Sequence, residues 1–151
     1  MCFQLYLGAH APCPEIPYQE PPDRSIDETA LFVVNMPERS AFQVQVAGLT
    51  TPYQYHVGIM SCGCGFALDA PANGYDDDRL VRNHAQLAEY IAQCLAHTSP
   101  ITLRTSWAGD EALPADATRT IALATLRDPA FFFAEREETL VYRELPVTSG
   151  T

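Results

Sequence analysis

Cys62 and Cys64 are separated by a single residue, and Gly63 and Gly65 remove the side chains that would restrict the backbone around them. A turn there brings two thiols together, as in half of a soft-metal site or in a redox couple. As metal ligands both sulfurs act as thiolates, and a tetrahedral zinc or iron centre needs one or two further ligands from His or Cys. His84 and Cys94 are candidates on a helical stretch, but their spacing amounts to about 15 Å of helix, so they do not share one ion. His84 is the better partner and His56 the second, because an extended strand puts His56 on the side of Cys62. As a redox couple, the pair closes a small disulfide when one thiolate attacks its neighbour after oxidation. No arginine lies between Arg39 and Arg79 to lower a thiol pKa, so that help has to come through the fold. The same residues also suit plain packing, since small thiols among glycines let backbones approach closely at the end of a buried strand.

Other chemistry finds less support. Lysine is absent, which removes Schiff-base catalysis and Walker-type phosphate loops. Ser61 is not framed as a nucleophile elbow. Asp76, Asp77 and Asp78 are consecutive, where a calcium loop alternates its ligands, so they fit the start of a helix. Glu135, Glu137 and Glu138 suit a solvated turn. Tyr53, Tyr55 and Trp107 are the aromatic residues that could form an interaction surface for a protein partner or a second copy.

The elements that must position these residues follow from periodicity. Phe3, Leu5 and Leu7 alternate with polar or half-polar residues as in a strand, and residues 31–34 form an apolar run suited to a buried one. Residues 11–24 are proline-rich and predict an irregular surface connector. Residues 41–49 fit strand and helix equally. Tyr53, Tyr55, Val57 and Ile59 predict the clearest strand, and Asn73-Gly74 marks a turn. From Arg79 to about His97 a helix presents Leu80, His84, Leu87, Ile91, Cys94 and Leu95 on one face. Ile101, Leu103, Thr105 and Trp107 alternate as a strand, Ile121 and Leu123 continue such a pattern, and Asp128-Pro129 breaks it. Phe131, Phe132 and Phe133 form an apolar plug, and residues 140–145 predict a last strand before the tail at 145–151. The expectation is one α+β domain over residues 1–151, with five or six strands in a mixed or antiparallel sheet and one long helix packed across it.

With 151 residues and 47% apolar composition, the chain is long enough for one sizeable core without disulfides or a structural metal. Nine basic residues against 19 acidic ones give a net charge of -10, which argues against nucleic acid and anionic membranes as partners. Five cysteines in no regular spacing, no basic leader and no long apolar stretch predict a reduced, cytoplasmic protein.

The segment from Ser61 to Phe66, following a tyrosine-rich strand, resembles a group of small bacterial proteins that carry Gly-Cys-Gly-Cys-Gly-Phe, with Ser61 in place of the first glycine. Residues 2–8, 107–111 and 128–133 also look like that group. The resemblance implies a soluble bacterial protein and brings no activity, cofactor or catalytic residue with it. Together these features point to a binding or regulatory module, with a thiol-dependent redox or metal-binding protein built on Cys62 and Cys64 as the alternative.

Overall fold

The computed structural model describes residues 2–18, 30–36, 46–59, 63–67, 70 and 76–147. Cys62, the Asn73-Gly74 turn, residues 41–45, residues 19–24 of the proline-rich segment and the end of the tail lie outside them.

The chain forms an α+β fold around one six-stranded sheet. Its strands are β1 (Phe3–Ala9), β2 (Leu31–Asn35), β3 (Tyr53–Ile59), β4 (Ile101–Trp107), β5 (Ala117–Ala122) and β6 (Glu137–Tyr142), in the order β2-β3-β1-β4-β6-β5. All neighbours are antiparallel except β5 and β6, which run parallel, so the sheet is mixed. Helix α1 (Asp77–Leu95) lies on one face, and α2 (Leu123–Arg127) is a single turn leading out of β5.

Alternation decides the faces. Phe3, Leu5, Leu7 and Ala9 of β1 and Tyr55, Val57 and Ile59 of β3 enter the core with Leu87, Ala88, Ile91, Cys94 and Leu95 of α1. All six residues expected on the helix's apolar face are buried. The Asp76 carboxylate caps the helix by accepting from Arg79 N (2.9 Å), and Asp77 and Asp78 follow in the first turn, where the helix dipole favours negative charge.

The second face of the sheet is covered by turns. Tyr6 packs with Met36, Val46 and Leu49, and the Tyr6 hydroxyl donates to Glu111 Oε1 (2.9 Å). Arg104, on the same face, is fully buried and donates to the carbonyls of Ala47 (3.1 Å), Leu113 (2.6 Å) and Thr105.

Three boundaries differ from the sequence expectation, one of them the end of the last strand, which lies at Tyr142 and not at residue 145. The period-two pattern at Ile121 stops at Ala122, and Leu123 opens α2, where burying Leu123 and Leu126 three residues apart favours a helical turn. The last strand begins at Glu137, three residues earlier than expected, and Glu137 is no part of a solvated turn. Its carboxylate is buried because Arg119 meets it from β5, Nε lying 2.5 Å from Oε1 and Nη2 3.0 Å from Oε2. The Phe131–Phe133 plug holds: Phe131 and Phe133 are buried and their rings meet edge to face at 5.1 Å.

Candidate functional site

The residues singled out by the sequence fall in three places. At the first, Gly63 N donates to Phe3 O (2.8 Å) and Cys64 Sγ lies 3.9 Å from the same carbonyl, on the short 3-10 turn Cys64–Phe66. A Cβ on Gly63 would stand 3.0 Å from Leu5 N and 3.1 Å from Leu5 Cβ. The glycine is therefore needed for close approach to β1, in line with the packing account of this turn. Gly63→Ala is expected to cost about 1–3 kcal/mol, because β1 is held on both sides and cannot give way; urea unfolding measures it.

At the second, His84 is fully buried between the ring edges of Phe66 (5.9 Å) and Phe132 (5.7 Å). Nδ1 donates to Leu126 O (3.2 Å), and Nε2 meets no hydrogen-bond partner among the described residues. Burial pushes its pKa below the ordinary value, with the Leu126 carbonyl and the Asp128 charge offsetting part of the effect. The folded state therefore holds the neutral ring while the unfolded chain takes up a proton as pH falls through about 6.5. This contribution is complete above that pH and is lost below it, by up to about 1.4 kcal/mol per pH unit. His84→Gln is expected to flatten the stability-pH curve between pH 7 and 5 relative to the parent, as measured by denaturant unfolding at each pH.

At the third, His56 lies on the opposite sheet face, its ring 5.4 Å from Tyr6 and 5.3 Å from Phe32 and its Nε2 2.5 Å from Gln4 Oε1. His56 and His84 are thus kept apart by the sheet, and no group of three or more His, Cys, Asp or Glu suited to a metal occurs among the described residues. The aromatic trio is also dispersed. Tyr55 is 2% exposed, with its hydroxyl accepting from Cys13 N (2.9 Å), whereas Tyr53 is 36% exposed. Trp107 packs edge-on against Phe3. Tyr53 pairs with Ala9 and Trp107 with Phe3, which puts them at opposite ends of β1.

The structure assembles a constellation that periodicity did not indicate. Residues 10–16 run as a strap past the C-terminal end of α1. His10 N donates to Thr98 Oγ1 (3.2 Å), and the Tyr90 hydroxyl donates to Pro14 O (2.7 Å). Between these points the buried thiol of Cys13 faces that of Cys94, one helical turn beyond Tyr90. The partnership favours the thiolate of Cys94 against its burial, and together with burial it pushes the Cys13 thiol up. The available signals were Pro12 and Pro14, which fix the backbone around Cys13, and Cys94 on the apolar stripe.

The strap also bears on the sheet edges. Every outward amide of edge strand β2 has a partner: Leu31 N donates to Gln86 Oε1 (2.9 Å), Val33 N to Ile16 O (2.9 Å) and Asn35 N to Glu15 Oε1 (2.8 Å). The opposite edge, β5, has no such cover among the described residues; Ala117, Thr118 and Thr120 are exposed. Fold and edges define a single mixed sheet of α+β class, closed by a strap on one side and, among the described residues, uncovered on the other. No family model, no curated protein and no solved structure matches the chain. Among the described residues no helix is long and apolar enough to cross a membrane.

Proposed function

We propose that this is a binding module that works through the outer edge of β5, and that the strand it takes there is β5 of a second copy. The asymmetry of the edges carries this reading: β2 is capped amide by amide, while among the described residues no partner meets the outward groups of alternate residues of β5. A two-fold axis at the β5 edges would join two six-stranded sheets into one. The strand suits self-pairing. Its exposed residues are small or β-branched, and its one charge, Arg119, is neutralised by Glu137, so no uncompensated like charges meet across the axis. A net charge of -10 on each chain opposes the pairing at long range, so salt should strengthen it. The same charge disfavours nucleic acid and anionic membranes, and the reading keeps the sequence expectation of a bacterial, cytoplasmic protein.

Light scattering on size-exclusion fractions tests this across protein and salt concentration. The expected result is a dimer that tightens with salt and becomes monomeric in Thr118→Lys/Thr120→Lys, whose exposed positions leave folding intact. A wild-type monomer at millimolar chain concentration and high salt would falsify the reading. A dimer indifferent to the lysines would place the interface elsewhere and sink it as well.

A further inference from the structure

We propose that Cys13 and Cys94 form a redox latch that fixes the strap, and with it the cover of the β2 edge, onto α1. The placement of the pair carries the inference. The strap meets Thr98 just beyond the end of the helix and Cys94 and Tyr90 on its last turns, and holds Cys13 against Cys94 in the core. Two and three residues further on, Glu15 and Ile16 make the contacts that close β2 at Asn35 and Val33. A covalent bond at residue 13 therefore anchors the cover at its root. With both thiols reduced, the strap rests on a few hydrogen bonds, four of which depend on the side chains of Thr98, Tyr55, Tyr90 and Glu15.

The oxidant is a hydroperoxide. The Cys94 thiolate attacks the distal peroxide oxygen; the O–O bond breaks, and the departing hydroxide takes up a proton as water. Sulfur is oxidised by two electrons to the sulfenic acid. The Cys13 sulfur then attacks Cys94 Sγ, the S–O bond breaks, and a second water leaves with the Cys13 proton. In sum, two thiols and one hydrogen peroxide give one disulfide and two waters, and a dithiol reductant reverses the change. The cover that the latch anchors lies on the β2 edge, at the other side of the sheet from β5, so the latch stands independently of self-pairing.

The test oxidises the full chain with stoichiometric hydrogen peroxide and maps disulfides by non-reducing digestion and mass spectrometry. Hydrogen exchange is followed amide by amide. The expected result is a Cys13–Cys94 cross-link, a Tm raised by on the order of 10 °C, and a Val33 amide exchanging about tenfold more slowly. Leu31, capped by Gln86 of the helix, serves as the internal control and changes least. The variant Cys2→Ser/Cys62→Ser/Cys64→Ser, which retains only the proposed pair, should behave alike; if it does not fold, mapping of the wild-type chain decides the pairing. Oxidation that consumes other cysteines while Cys13 and Cys94 stay alkylatable overturns the proposal. So does a Cys13–Cys94 bond that leaves Val33 exchange unchanged.

Discussion

Arg104→Met is expected to destabilise the protein by about 3–5 kcal/mol, lowering the urea midpoint with little change in slope. The guanidinium is fully buried in the sheet's second face and donates to the carbonyls of Ala47, Leu113 and Thr105. Two of these belong to separate turns, so one side chain ties both to β4. Burial lowers the pKa of Arg104, with the Glu138 carboxylate the largest opposing influence, yet an arginine remains charged at any pH where the protein folds. Methionine fills most of the volume but offers no donor, and each stranded buried carbonyl costs about 1–3 kcal/mol. Water entering as the turns loosen recovers part of that, which keeps the total below the sum. Arg104→Lys separates charge from geometry. An ammonium group cannot span three carbonyls held around a planar fork, so lysine should recover less than half of the loss. If lysine restores wild-type stability, charge alone matters and the fork argument fails.

Arg104 also shows what the sequence could and could not convey. Ile101, Leu103, Thr105 and Trp107 mark one face of β4 by alternation, and that face packs where expected. The other face, Thr102, Arg104 and Ser106, is polar, yet all three residues are buried. Alternation reports hydrophobicity, and a sheet face covered by turns meets backbone carbonyls, to which a polar side chain is the fitting complement. Helix α1 was legible because its apolar residues recur at helical spacing and three aspartates mark its start. The Cys13–Cys94 contact was not, since it joins a proline-flanked residue to a helix far along the chain and no local period encodes that distance. At the glycine–cysteine turn, the steric need for Gly63 was legible as small-residue packing, whereas a ligand set from His56 and His84 failed on topology: the sheet runs between them. Glu137 was misread because charge alone does not tell a solvated face from a paired one. An acidic run looks solvated until a strand 18 residues away supplies its arginine.

That ion pair gives the second large effect, with an order of severity that exposure alone would reverse. Arg119 is the more accessible partner, its side chain 38% exposed against 5% for Glu137. Removing Arg119 nevertheless leaves a carboxylate sealed in the fold, so Arg119→Met is expected to cost about 3–5 kcal/mol. The stranded Glu137 keeps one donor, Ala134 N (2.9 Å), which does not neutralise its charge. In Glu137→Leu the guanidinium can turn to solvent, although its stacking over Phe131 (4.4 Å) weakens, and the main penalty is the orphaned Ala134 amide. That variant should lose about 1–3 kcal/mol. The double variant Arg119→Met/Glu137→Leu buries neither charge and should be more stable than Arg119→Met alone, so the cycle gives a coupling opposite in sign to additive loss. Denaturant unfolding of the four proteins measures it. A double variant as unstable as the sum of the two single ones would mean that the carboxylate is not stranded by loss of the arginine, and the burial argument for the β5–β6 pair would fall with it.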